Sequence, residues 1–181
     1  MSEEKRPRIV VTPVGAPAPF LIDAVVYEDD TQLVLGSDPF VREVNAPTSE
    51  LLEQAVRSEP RRPGTVVVKK GSPLRFHAVV HDLRLEPSWR EEWIASALEG
   101  VLDEAHALGL KSVALPVLGA LHGRLDPSRF CQMLVFALER DFVRSVENLW
   151  LVVVGDTATV GGQLAHLGWG RGDPRRGGRR S

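Results

Sequence analysis

The chain has 181 residues, 43% hydrophobic and 25% charged, enough for one domain with a real core. No apolar run approaches the roughly 20 residues that span a bilayer, and a single cysteine, Cys131, excludes an internal disulfide framework. The net charge of −2 hides an asymmetry: the last eleven residues, RGDPRRGGRRS, carry +4 and leave a body of −6, which argues against a broad nucleic-acid-binding surface.

In chain order, RIVVTPV and FLIDAVVYEDD are β-rich, separated by GAPAP, whose prolines forbid a helix. TQLVLGSDP is a short apolar run ending in a turn signal. TSELLEQAVRSEP, residues 48–60, predicts a short helix capped by Thr48 or Ser49 and stopped by Pro60. GTVVVKKG and RFHAVVHDL follow as strands around a Gly-Ser-Pro turn. SWREEWIASALEGVLDEAHALGL predicts the longest helix, with Ile94, Ala97, Leu98, Val101, Leu102, Ala105 and Leu108 on one face. Ser88 and Glu91 form a capping-box pattern, and Gly109 is placed to end the helix. KSVALPVLG reads as a buried strand, and Asp126-Pro127 opens a helix with Phe130, Met133, Leu134, Ala137 and Leu138 inward. NLWLVVVGD is a last strand, and TATVGGQLAHLGW a last helix weakened by Gly161 and Gly162. Strands alternating with helices predict a three-layer α/β/α sandwich over residues 1–170, with a mixed, mostly parallel sheet. Residues 171–181 read as a disordered Arg/Gly-rich tail.

Ligands of open α/β sheets sit beyond the carboxyl ends of the strands, and two loops fall on that edge. In the first, Gly119, Ala120, Leu121, His122, Gly123 and Arg124 lead into the Asp126-Pro127 helix. Glycines let backbone approach an anion closely, N–H groups ahead of the helix point at it, and Arg124 and His122 add donors. The alternative is a plain strand-to-helix connection whose glycines only satisfy backbone angles. The second loop offers Gly155 and Asp156.

GTVVVKKGSPLRFHAVVHDL, a long helix and then KSVALPVLGALHGRLDP resemble the macro domain family in order, spacing and residue type. The similar part runs from about Gly64 to Val154, and upstream RIVVTPVG and DAVV resemble the family's first strands. The resemblance implies a macro-domain-like fold and binding of ADP-ribose or a related nucleotide; some family members hydrolyse ADP-ribose from proteins. The departures are specific. Gly15-Ala16-Pro17 stands where the family has Gly-Asp-Ile, whose acid accepts from the adenine amino group. Tyr27, Glu28, Asp29 and Asp30 stand for Asn-Ala-Ala-Asn, so the Asn that family hydrolases use near the distal ribose has no counterpart. Leu121 and Arg124 replace glycines, and Leu121 is expected to narrow or close the phosphate site. Acidic Glu28, Asp29 and Asp30 near that site would repel a diphosphate. A shifted loop would have to draw on Ser37, Asp38 or Asn45.

Other groups carry less. His77 and His81 share a strand face by alternation but lie roughly 13 Å apart, too far to ligate one metal; no metal site and no cofactor are expected. Cys131 sits where a helix dipole lowers a thiol pKa, yet its spacing points it inward. Asp126 reads as a cap and Asp23 as structural. Trp89 and Trp93, four apart, are expected on one helix face.

These readings converge on a non-catalytic binding or assembly module, with a phosphate-bearing nucleotide such as ADP-ribose held at 119–124. The alternatives are an ADP-ribosyl hydrolase with rearranged loops and a purely structural subunit with its cleft closed by Leu121. Partners are the nucleotide, a protein or a second copy, with weak nucleic-acid contact through the tail and none with membrane. MSEEKRPR lacks the apolar core of a signal peptide, and 18 Arg against 4 Lys hint at a GC-rich genome, so a bacterial, cytoplasmic setting is expected.

Overall fold

The computed structural model describes residues 6–36, 59–120, 124–140 and 145–169. The elements run β1 (Arg8–Pro13), β2 (Ala24–Asp30), β3 (Val66–Lys69), β4 (Leu74–His81), α1 (Glu91–Ala107), β5 (Ser112–Pro116), α2 (Pro127–Leu138), β6 (Asn148–Val153) and α3 (Thr157–His166). The strands form one sheet in the order β1-β6-β5-β2-β4-β3. Only β3 runs antiparallel to its neighbour, because the Gly-Ser-Pro turn folds it straight back onto β4. All other pairings are parallel. This is the mixed, mostly parallel α/β architecture that the sequence predicts. The predicted helix at 48–60 and the tail lie almost wholly outside the described residues.

The central strands β2 and β5 are buried along their whole length, which explains their continuous rather than alternating apolar character. One sheet face, with Val26, Phe76, Val80, Leu115 and Leu151, packs under all three described helices through Ile94, Leu98, Phe130, Leu134 and Val160. Each such fully buried Leu, Ile or Phe contributes about 1.5–3 kcal/mol of apolar transfer. The opposite face, with Val25, Tyr27, Ala114, Trp150 and Val152, is met by Phe20 and Ile22. Those two residues precede β2, which begins at Ala24 rather than at the predicted Phe20.

Helix ends follow the sequence with one exception. Asp126 accepts from the Ser128 N–H at 2.7 Å with Pro127 in the first turn, so it caps α2 as expected. Gly109 takes φ +65° after Leu108, and the Leu110 N–H returns to the Ala105 carbonyl at 2.8 Å, a Schellman ending for α1. The exception is the Ser88–Glu91 capping box. The N-cap of α1 is Arg90, with no side-chain cap bond, and Ser88 lies outside the helix. Its carbonyl accepts from the Asp82 N–H and its hydroxyl lies 3.3 Å from His81 Nδ1. Trp89 likewise precedes the helix and bridges to His81, so it shares no helix face with Trp93. Trp89 packs on the main core, whereas Trp93 lies under the Arg90 guanidinium.

Candidate functional site

The carboxyl ends of the parallel strands form one edge of the sheet, and two clusters sit there. The first is built on β2 and β4. Glu28, Asp29 and Asp30 are all buried, which for carboxylates requires partners. Glu28 meets His81 Nε2 at 2.5 Å through one oxygen and accepts from the Gly119 N–H at 3.0 Å through the other. Asp29 meets His77 Nδ1 at 2.8 Å and accepts from the Gly36 N–H at 3.0 Å. Asp30 accepts from the N–H groups of Gln32, Val34 and Leu35 at 2.7, 3.0 and 2.6 Å. The three acids therefore anchor the loops after β2 and β5 from inside. Their carboxylate oxygens are thus engaged by the fold.

The histidines differ from expectation for a related reason. The β2–β4 register slips between Asp29 and Asp30, leaving Val80 as an extra residue on β4. A bulge reverses the alternation beyond it. His77 thus stacks on Tyr27, ring centroids 5.3 Å apart, while His81 turns to Glu28 on the helix-covered face. Among the described residues, no three His, Cys, Asp or Glu side chains gather as a metal site would require.

The second cluster lies at the ends of β1, β5 and β6. A cavity of about 180 Å³ is lined there by Val14, Pro116, Val117, Ala120, Pro127, Val152, Val153 and Val154. Every described lining side chain is apolar. Val14 is 41% and Val154 64% exposed, so the two form an open rim. A water occupies roughly 30 Å³ of liquid, which makes the space suited to a ring-sized group rather than a lone ion.

Of the predicted phosphate loop, Gly119, Ala120 and Arg124 are described and Leu121, His122 and Gly123 are not. Gly119 has φ +80°, and a Cβ there would collide with Ile94 Cδ1 and stand 3.1 Å from Leu125 Cβ. Glycine is demanded at this position by backbone and packing before any ligand is considered. The Gly119 N–H is taken by Glu28, and the Ala120 N–H by the Val117 carbonyl at 3.2 Å. Of the loop's described residues, that leaves Arg124 as the side-chain donor for an anion. Arg124 is exposed and pairs with no described carboxylate. In the second loop Gly155 takes φ +104° and makes the turn out of β6. Both Asp156 oxygens serve α3, accepting from the Ala158 N–H and the Thr159 hydroxyl, and these bonds hold its carboxyl below the usual range. Ser37, Asp38 and Asn45 lie outside the described residues.

Cys131 is buried on α2, and burial pushes its thiol up to about 11, against the lowering that a helix N-terminus would give. Asp23 accepts from the Lys111 and Ser112 N–H groups at 2.8 and 2.9 Å and so aligns the start of β5 with β2. Sequence reasoning missed the Glu28–His81–Gly119 connection. Its only trace was the placement of three acids inside an otherwise apolar strand, a pattern that calls for buried partners.

Comparison with known proteins places this geometry. The macro domain of ganglioside induced differentiation associated protein 2 superposes with a TM-score of 0.65 at 18% identity, covering 91% of this chain and 85% of that one. The Oceanobacillus iheyensis macrodomain with ADP gives 0.63 at 16% identity, covering 88% and 90%. The Trypanosoma brucei macrodomain in complex with ADP-ribose gives 0.58 at 16%, covering 84% and 66%. No curated protein sequence matches the chain. Among the described residues, no helix is long and apolar enough to cross a membrane. The family model of the macro domain matches residues 43–134, half of the chain, which starts upstream of the similarity read from the sequence and stops short of its end. The chain belongs to the macro domain family.

Proposed function

We propose that this protein binds a phosphate-bearing nucleotide of the ADP-ribose type and carries out no bond chemistry on it. The observation that carries the reading is the apolar cleft at the ends of β1, β5 and β6. Ala120 and Pro127 of its wall bracket residues 121–124, where Arg124 stands exposed. The base would occupy the cleft between Val14 and Val154. The phosphates would lie toward residues 121–124, held by backbone N–H groups and the Arg124 guanidinium. Structural relatives bound to ADP and to ADP-ribose support this ligand class.

The non-catalytic part rests on what lines the cleft. Hydrolysis requires a group that positions or activates water within hydrogen-bond reach of the scissile bond. The described lining residues are Val, Pro or Ala, and Glu28 and His81 are buried against each other. Calorimetric titration with ADP-ribose is expected to give micromolar binding. Gly123→Glu should abolish it, and Arg124→Ala should weaken it about tenfold. Absence of heat with an unmoved melting temperature would refute the reading, and release of ADP-ribose from a modified protein would refute its non-catalytic part.

A second reading, assembly with a partner or a second copy, draws on a groove of about 600 Å³ between α1 and α2. Phe136 stands 68% exposed in it, beside Met133 and Ala95 and rimmed by Glu91, Glu92 and Glu99. Sedimentation of the wild type and of Phe136→Ser tests self-assembly: a dimer lost in the variant would favour this reading, and a monomer in both would remove the second copy.

A further inference from the structure

We infer that the groove between α1 and α2 is the docking site of the chain's own arginine-rich segment, residues 171–181, held in cis. The inference is independent of the nucleotide reading, and it sets the tail against a second copy as the occupant of that groove.

The groove joins an acidic helix to an exposed aromatic ring. Over its 17 residues α1 carries five carboxylates, Glu91, Glu92, Glu99, Asp103 and Glu104, and neither Lys nor Arg. On the other wall, Phe136 is 68% exposed, although Phe130, Leu134 and Leu138 of the same helix are buried. The cations already facing α1 are Arg129, 2.9 Å from Glu91, Arg140, 2.7 Å from Glu99, and Arg90, 3.8 Å from Glu92. The side chains of these three pairs are 38–68% exposed, so the pairs are weak and open to exchange. Asp103 and Glu104 make no ion pair with a described cation.

The tail matches this surface in charge and in chemistry. Residues 171–181 hold five Arg and one Asp, and Pro174 is their one apolar side chain. An Arg needs no apolar neighbour to occupy such a groove, because its stem lies along apolar surface while its guanidinium stacks on an aromatic face. The fold uses that stacking twice, with Arg6 5.0 Å over Trp169 and Arg90 5.3 Å over Trp93.

The tail also starts within reach. Trp169 is buried, its N–H donates to the Leu164 carbonyl at 2.8 Å, and the Gly168 carbonyl accepts from Arg6 at 3.3 Å. α2 packs between α3 and α1. α2 and α3 each return from a parallel strand, so Phe136 in the last turn of α2 lies toward the same sheet edge as Trp169. Neighbouring helices pack about 8–10 Å apart, whereas residues 170–181 extended span about 40 Å.

The test compares the full chain with a full-length variant in which Arg175, Arg176, Arg179 and Arg180 are changed to Ser. At low salt the methyl NMR signals of Ala95, Met133 and Ala137 should differ between the two proteins. At about 1 M salt, where the Debye length is ~3 Å, they should converge. Identical signals at low salt would overturn the inference. A tethered segment meets its site at an effective concentration on the order of mM, so the wild-type signals should not move on dilution. Signals that move toward the variant's on dilution would place the tail on a second copy and overturn docking in cis. Trypsin reads the same contact from the tail: in Phe136→Ser, whose change is at an exposed position, residues 176–181 should be released about fivefold faster than in the wild type. Equal rates would show that the ring holds nothing and would overturn the inference as well.

Discussion

The carboxyl edge of the sheet is divided into two surfaces of opposite design. At the ends of β2 and β4, three acids and two histidines are buried and spend their hydrogen bonds on each other and on loop backbone. At the ends of β1, β5 and β6, the described lining is apolar and open. The charged half is scaffold and the apolar half is available. Charge in the sequence therefore does not mark the proposed site, because a buried carboxylate with satisfied partners acts on the fold, whereas an open apolar rim is the surface on which the proposed ligand would rest.

Glu28 joins the two halves, and removing it is the strongest way to break the division. Glu28→Ala removes the acceptor of the Gly119 N–H and the partner of His81 Nε2 in the interior and should cost about 3–5 kcal/mol in urea unfolding. Glu28→Gln keeps an acceptor for the Gly119 N–H and offers His81 Nε2 an amide donor in place of the carboxylate, with the imidazole protonated at Nδ1, and should cost less than half as much. Equal losses in the two variants would mean that charge, not the hydrogen-bonded connection, holds the loop. Gly119→Ala comes next. It forces a Cβ against Ile94 and Leu125 at a positive φ and should cost about 2–4 kcal/mol. A neutral result would show that the loop is not packed as described.

A smaller effect comes from Cys131, under the helix layer. Its thiol titrates near 9.0 when unfolded and near 11 in the fold. Because the folded value is the higher one, the unfolded chain alone loses this proton between those values. Stability from Cys131 is thus complete below about pH 9 and falls as pH rises toward 11. The difference in melting temperature between wild type and Cys131→Ala should shrink over that interval. A difference that stays constant would place the thiol in contact with solvent. The smallest effect is a gain. Gly162 lies within α3, and a Cβ added there would meet nothing within 4 Å, so Gly162→Ala should stabilise by about 0.5–1 kcal/mol.

Much of the fold was legible because its signals are local. The inner face of α1 from Ile94 to Ala105, the Asp126-Pro127 start of α2 and the Gly109 ending each follow from periodicity or capping chemistry within a few residues. The site was legible only as a place on the sheet edge. Ser88 looked like a cap because its spacing to Glu91 fits one, but Trp89 is drawn into a bridge with His81, and the helix starts too late. His77 and His81 looked coplanar because alternation cannot foresee a bulge at Val80. The partnership of Glu28 with Gly119 spans 91 positions, and no local pattern encodes it. The apolar cleft was invisible for the same reason: Val14, Pro116 and Val154 lie at the ends of three different strands and carry no chemistry that marks them singly.

The central claim is that ligand binds in the apolar half and leaves the charged half unmoved. Methyl- and amide-resolved NMR during titration with ADP-ribose tests it directly. The account predicts shifts for the Val14, Val152 and Val154 methyls and the amides of residues 121–124, with the Gly36 amide, bonded to Asp29, unchanged. Shifts centred on Gly36 and His77, with the valine methyls still, would contradict it.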